Sequence, residues 1–457
     1  MEPFYILVLL LREKYKTGFL ILSNFFMDSV IDCTDEEKLT PAYLKNAYNR
    51  IRSFTEELTE PLKTEDYVIQ AMDNVSPAKW HLAHTSWFFE TFVLEKAYQN
   101  YESLHPQYHH LFNSYYLQTG QPFTREHRGL ITRPTVSETY EYRNYVDEQM
   151  AKVFTDFSGN EFRELGPIIE IGLNHEQQHQ ELIVTDIKYN LAQNPLGPVY
   201  KEIPVPQNGV QTPELNWISI DEGVYEIGYN GDGFSYDNEH PRHKRYIHAF
   251  DMADRLITNK EYIEFMEDGG YEKSDLWLSD GYAAIKEKGW EAPLYWTFRD
   301  GVWHQFTLAG IRPVEPNEPV THISYYEADA FARWAGARLP DEGEWEVAAE
   351  NIEVDGNFVE KRAFHPQPLH NFDQPIKQLY GDTWEWTRSA YDPYPGYEPL
   401  PGAIGEYNGK FMSSQYVLRG GSCATSKTHI RPTYRNFFYP DARWQFSGIR
   451  LARKKDK

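Results

Sequence analysis

The 457-residue chain is longer than one hydrophobic core ordinarily serves, which predicts two domains. Its formal net charge is −23 and no basic stripe interrupts the acidic surplus, so phosphate backbones are excluded as expected partners. Two cysteines, Cys33 and Cys423, are too few and too far apart for a disulfide framework or a cysteine-rich zinc site, a usage that suits the reducing cytoplasm.

Residues 1–26 carry two short apolar runs broken by Arg12, Glu13, Lys14 and Lys16. Neither reaches the ~20 residues that span a bilayer. Glu2 precedes the first run and no A-x-A pattern follows, which argues against a signal peptide. Met27 offers a later start, so residues 1–38 are read as an N-terminal extension whose first 26 residues reflect start-site choice.

A helical region over 39–193 follows. Thr40-Pro41 supplies a cap and a proline at the first helical position, and Leu44, Ala47, Ile51 and Phe54 recur at helical spacing. Ser76-Pro77 repeats the signal at the head of SPAKWHLAHTSWFFETFVLEKAY. Two further helices run through TVSETYEYRNYVDEQMAKVF and ELGPIIEIGLNHEQQHQELIVTDIKYNL. Four helices with one long connection predict a four-helix bundle, a fold that builds metal sites between facing helices. The connection, roughly 103–134, is rich in Tyr, Arg and His, which predicts an ordered, functional loop. The segment 194–214 carries five prolines and two glycines and reads as an extended linker. From 215 to 457, β-prone runs such as WISI and YEIGY alternate with turns around one clear helix, SYYEADAFARWAGA. That pattern predicts a mixed α+β domain.

The strongest local signal is HEQQHQE at 175–181. His175 and His179 are four residues apart, so a helix projects both imidazoles from one face, where they can grip one metal ion. The segment also matches H-E-x-x-H, in which Glu176 would be the general base of a zinc hydrolase. It lacks the longer metalloprotease continuation, because Leu182 stands where glycine belongs. A third ligand must come from another helix, and WHLAH offers His81 and His84. Three neutral imidazoles suit Fe(II), Zn(II) or Cu(II), with positions open for substrate.

SPAKWHLAHTSWFFETF, followed about ninety residues later by HEQQHQE, resembles the DinB-like bundle of the EgtB family, the hercynine-oxygenating sulfoxide synthases of ergothioneine biosynthesis. In the second domain GYNGDGFSYDNEHPRH, RLPDEGEWEVAAE, GDTWEWTRSAYDPY, VLRGGSCA and FSGIRLAR resemble, in order, the blocks of the formylglycine-generating-enzyme, C-type-lectin-like fold. The copper chemistry of formylglycine-generating enzymes needs a cysteine pair, and Cys423 stands alone in this domain.

The resemblance implies an Fe(II) centre held by His84, His175 and His179, with Glu181 outside the ligand set, orienting ligands through hydrogen bonds. It implies hercynine, cysteine and O2 as substrates, and a sulfoxide product whose sulfur is bonded to C2 of the imidazole. Asn436, Phe437 and Phe438 of YRNFFYPDARW would line the hercynine pocket, where aromatic faces attract a quaternary ammonium. Gln178 would hydrogen-bond the hercynine imidazole. Arg125 and Arg128 of TREHRGLITRP would grip the carboxylate of the sulfur donor. FNSYY and RNFF resemble the branch that takes free cysteine in preference to γ-glutamylcysteine. In that branch the catalytic acid is the pair matching Tyr115 and Tyr116. In another it comes from the second domain, where Tyr391 and Tyr394 match best. The alternatives are an ovothiol-type (histidine) or selenoneine-type synthase, a zinc hydrolase using HEQQH, and a non-catalytic module built on the lectin-like domain.

Overall fold

The computed structural model of the chain describes residues 39–203, 211–369, 374–400, 402–406 and 408–455. The N-terminal extension with Cys33, and the centre of the proline-rich segment, lie outside the described residues.

Four helices build the N-terminal bundle: α1 (Pro41–Thr59), α2 (Ala78–Phe89), α3 (Val136–Asp156) and α4 (Gly159–Ala192). Thr40 caps α1 by accepting the Tyr43 N–H, as the Thr-Pro signal predicts. A full capping box between Thr135 and Glu138 opens α3. Ser76 departs from the second Ser-Pro signal. No side chain caps α2, and the Ser76 N–H instead donates to the Asp186 carboxylate of α4 at 2.8 Å.

Every residue of α2 is buried, which marks it as the central helix of the bundle. Gly172 lets α4 approach it closely, since a Cβ there would stand 2.6 Å from the Phe89 ring. The long connection is ordered. It holds a helical turn at Tyr108–Leu111 and a 3-10 segment at Arg125–Leu130, and it hydrogen-bonds back to Gln70, Asn74 and Ser76. Beyond α4, Tyr200 docks the start of the proline-rich segment, its hydroxyl donating to the Leu58 carbonyl at 2.6 Å.

The second domain opens with strands β1 (Trp217–Ile220), β2 (Gly223–Ile227), β3 (His243–Ile247), β4 (Phe250–Ala253), β5 (Trp296–Arg299), β6 (Val302–Thr307) and β7 (Gly310–Pro313). It closes with β8 (Trp384–Ala390), β9 (Tyr416–Arg419), β10 (Asn436–Phe438), β11 (Ser447–Gly448) and β12 (Ala452–Lys454). These form small separate sheets, β1-β4-β12, β10-β9-β8-β11, β5-β6-β7 and the β2-β3 pair. The sheet that reaches the bundle has β10 at its edge, antiparallel to β9 with Phe437 opposite Val417.

Among the described residues the expected single helix becomes four: α5 (Asn259–Glu267), α6 (Ser279–Lys288), α7 (Tyr325–Trp334) and α8 (Glu342–Ala349). The three additional ones run only 8 to 10 residues, too short for periodicity to announce them. Two nevertheless carry capping boxes, Thr258 with Glu261 and Asp341 with Glu344. Among the described residues, no helix is long and apolar enough to cross a membrane.

Candidate metal centre

The buried stripes of α2 and α4 face each other, and the histidines meet there. One ligand nitrogen from each of His84, His175 and His179 lies within 4.8 Å of the others, and all three residues are buried. Among the described residues no other group of His, Cys, Asp or Glu side chains converges in this way. The four-residue spacing puts His175 and His179 on one side of α4, and His84 answers from α2 with its Nε2 3.3 Å from that of His175. The Phe112 carbonyl lies 2.6 Å from His84 Nδ1, so Nδ1 carries the proton and Nε2 the lone pair. Trp80 and Trp87 stack on the same imidazole, with centroids 4.6 and 5.5 Å away.

Burial pushes all three imidazoles toward the neutral form, His175 down to about 3. His84 and His179 fall well below the ordinary histidine value through burial and then through neighbouring histidine charge. Neutral nitrogens gathered so closely in a buried site could hold a divalent metal ion and leave positions open on it. The residues fit such an ion.

Glu176 does not join them. It accepts hydrogen bonds from Arg143 at 2.6 Å, Arg52 at 3.1 Å and Thr55 at 2.7 Å, inside the bundle. Burial opposes its charge, but the Arg143 and Arg52 guanidinium groups outweigh that and hold its carboxyl at about 2. A carboxylate committed to two buried arginines is no general base, so the zinc-hydrolase reading of HEQQH is corrected here.

Glu181 is a second correction. It makes none of the described hydrogen bonds to the ligand histidines and crosses instead to the second domain. Trp384 Nε1 donates to it at 2.5 Å, Ser422 Oγ at 3.1 Å and Thr425 Oγ1 at 2.7 Å. Gln177 reaches Ser426 and Thr428, and Asn174 meets His429. One face of α4 thus carries imidazoles while the adjoining face is fastened to residues 422–434. Gln178 belongs to the fastened face, where its Nε2 donates to the Tyr434 hydroxyl at 2.7 Å.

The two arginines of the long loop sit in different surroundings. Arg128 is buried with its guanidinium 3.4 Å over the Trp80 ring, and it donates to Ser76 Oγ. Among the described residues no carboxylate pairs with it, and burial, then the Arg125 charge, pushes its pKa well down. Arg125 is exposed and donates to the Asn74 carbonyl at 2.5 Å. Tyr116 is buried with its ring 5.6 Å from Trp87, and Tyr115 stacks on it at 4.7 Å. Tyr115 also touches the second domain, through Phe411 at 5.3 Å and a bond from Lys410 to its carbonyl.

All three residues of β10 are half-buried. Strand alternation sends Phe437 and Phe438 to opposite faces. Phe437 stacks on Tyr391 at 4.0 Å, while Phe438 meets Trp444 edge-on at 5.6 Å, and Asn436 shares the Phe438 side. Tyr391 and Tyr394 are held in a buried polar network. The Tyr391 hydroxyl accepts from Asn238 at 2.8 Å, and the Tyr394 hydroxyl accepts from Arg419 at 3.0 Å.

Sequence reasoning weighed His81 only as an alternative ligand to His84, and it missed the contacts of Asp186, the Phe112 carbonyl and the Tyr434–His429 pair. His81 and Asp186 had a signal, lying three residues before His84 and seven after His179. The Gln178–Tyr434 contact had none, since 256 positions separate its partners.

Residues 47–183 match the DinB superfamily, and residues 203–374 and 367–455 match the sulfatase-modifying factor enzyme 1-like domain. Three imidazoles converging in a DinB bundle, beneath a domain of that second fold, define a non-haem metalloenzyme. Over 411 residues the chain is 30% identical to the hercynine oxygenase of Mycolicibacterium smegmatis, covering 83% of this chain and 91% of that protein. The hercynine oxygenase of Mycolicibacterium thermoresistibile is 32% identical over 311 residues, 62% of this chain and 68% of that one. That of Mycobacterium tuberculosis is 35% identical over 240 residues, 48% and 56% of the respective chains. The chain belongs to the hercynine oxygenase family and is an oxygenase.

Proposed function

We propose that this chain holds Fe(II) at His84, His175 and His179 and joins the sulfur of cysteine to C2 of hercynine, with sulfoxidation, as a step of ergothioneine biosynthesis. The observation that carries this reading is the stack of Arg128, Trp80 and His84. Arg128 lies 3.4 Å from the Trp80 ring and Trp80 lies 4.6 Å from His84, so a buried guanidinium with no carboxylate partner among the described residues stands one indole from the imidazoles. A planar guanidinium suits a carboxylate, and a short amino acid held there brings its thiol to the three histidines. The FNSYY and RNFF segments, which resemble the cysteine-using branch, support free cysteine over γ-glutamylcysteine.

Iron, when bound, supplies redox chemistry and the substrate positions that the imidazoles leave open. The residues of the chain do the rest. Arg128, with Arg125 nearby on the loop, binds and orients the donor carboxylate. Gln178 hydrogen-bonds the hercynine imidazole, and the half-buried strand β10 offers its trimethylammonium group the aromatic face of Phe437, with Asn436 and Phe438 on the opposite side of the strand. Tyr115 and Tyr116 donate the proton that oxygen reduction requires. The atoms balance: the thiol and the imidazole C2 each lose hydrogen, one oxygen atom of O2 ends on sulfur, and the other leaves as water.

The test is oxygen uptake and product analysis on anaerobically iron-loaded protein given hercynine with cysteine or with γ-glutamylcysteine. Faster sulfoxide formation from cysteine supports the reading. Preference for the dipeptide, or for histidine in place of hercynine, contradicts it.

A further inference from the structure

His81 lies one turn before His84 on α2, is only 2% exposed, and has protein partners at both ring nitrogens. Its Nε2 is 3.0 Å from Asp186 Oδ2, and its Nδ1 is 2.8 Å from Nδ1 of His179. The same Asp186 oxygen accepts the Ser76 backbone N–H at 2.8 Å, so it acts as an acceptor on both sides. An acceptor at Nε2 places the His81 proton there and leaves Nδ1 with a lone pair. His179 Nδ1 must then be the donor in the contact between the two histidines. That assignment leaves the His179 lone pair on Nε2. Of the two neutral tautomers of His179, this geometry admits one, and it is the one able to bind a metal through Nε2.

We propose that Asp186 and His81 form a two-residue positioning relay, which fixes the tautomer and ring orientation of His179 and so sets the affinity of the centre for its metal. The inference rests on the ligand reading given above. His81 is no spare ligand in this arrangement, because the nitrogen it could offer is already bonded to His179. Asp186 contributes twice, since its bond to the Ser76 N–H also holds the start of α2, the helix that carries both His81 and His84. Groups behind metal-bound histidines influence metal affinity by about 10–100-fold when removed.

The experiment uses Co(II) as the probe, with metal-free full-length protein, chelator competition for affinity and the visible absorption bands for geometry. His81→Leu removes the acceptor, His81→Gln restores a carbonyl oxygen near it, and Asp186→Asn keeps shape but discards charge. His81→Leu is expected to weaken Co(II) binding about 10–100-fold and to shift the bands, with Asp186→Asn intermediate. His81→Gln should recover part of the loss, which a purely space-filling role would not produce. Wild-type affinity and spectrum in both His81→Leu and Asp186→Asn would overturn the relay. So would a glutamine no better than leucine. Thermal unfolding of the metal-free proteins checks the fold. If His81→Leu does not fold, Asp186→Asn decides alone, with weaker binding supporting the relay and unchanged binding refuting it. His84→Ala separates the two claims: retained Co(II) there sinks the ligand reading, whereas its loss there alone sinks only the relay.

Discussion

Changing Glu176 to glutamine separates the H-E-x-x-H pattern from the chemistry it advertises. The carboxylate is completely buried and takes hydrogen bonds from Arg143, Arg52 and Thr55. Each arginine has one other acidic partner, Glu56 for Arg143 and Asp147 for Arg52, so neither is left wholly unpaired. That places the cost at the lower end of the ~3–5 kcal/mol typical of breaking a buried ion pair. A carboxyl held at about 2 in place of its ordinary 4.5 gives the same size, about 3 kcal/mol. Its folded form binds a proton less readily than its unfolded form. The stabilisation is therefore complete above pH 4.5 and fades as pH falls toward 2. Urea denaturation of the metal-free proteins should show Glu176→Gln weaker by about 3 kcal/mol at pH 7, with the gap narrowing on acidification below the carboxyl's ordinary range. Co(II) binding should survive. A variant as stable as wild type, or one that keeps its stability and loses metal, would refute the assignment of Glu176 to the bundle core.

Three further outcomes follow from the same geometry. Arg128→Leu should raise the KM for cysteine by about 10–100-fold, as expected for one charged hydrogen bond of ~1.5–3 kcal/mol, while exposed Arg125→Ala costs less; steady-state kinetics reversing that order would move the carboxylate site. Phe437→Leu should weaken hercynine by up to ~2 kcal/mol more than histidine in calorimetry, with Phe438→Leu on the opposite face of the strand costing less, and equal losses for the two ligands in Phe437→Leu would contradict a cation-binding edge. The Tyr115→Phe, Tyr116→Phe double variant should keep metal and substrates yet lose about 100-fold in sulfoxide formation, with cysteine sulfinic acid rising. Near wild-type sulfoxide formation there, with loss in Tyr391→Phe, would put the acid in the second domain.

The sequence disclosed the parts of this molecule that local rules control. His175 and His179 were legible because a helix fixes what four-residue spacing does, and Thr40-Pro41 because capping is local. The DinB and sulfatase-modifying-factor folds were legible as motifs spread along the chain. Contacts set by tertiary docking were not legible. Glu181 looks like part of the metal motif, yet its three partners are 203 to 244 positions away in the second domain. Glu176 looks catalytic because nothing in HEQQH tells of Arg52 and Arg143 on other helices. Phe437 and Phe438 read as one aromatic wall until the strand they occupy divides them between two faces. The short helices α5, α6 and α8 escaped because two or three turns leave periodicity too little room.

The most direct test of the central claim is the mass of the product formed by iron-loaded protein from hercynine and cysteine under 18O2. The account predicts a one-to-one conjugate, bonded from sulfur to the imidazole C2 and carrying a single 18O on sulfur. It also predicts that the conjugate and the iron disappear together in His84→Ala, His175→Ala and His179→Ala. Conjugate formed by an iron-free variant, or cysteine sulfinic acid as the sole product of the wild type, would contradict it.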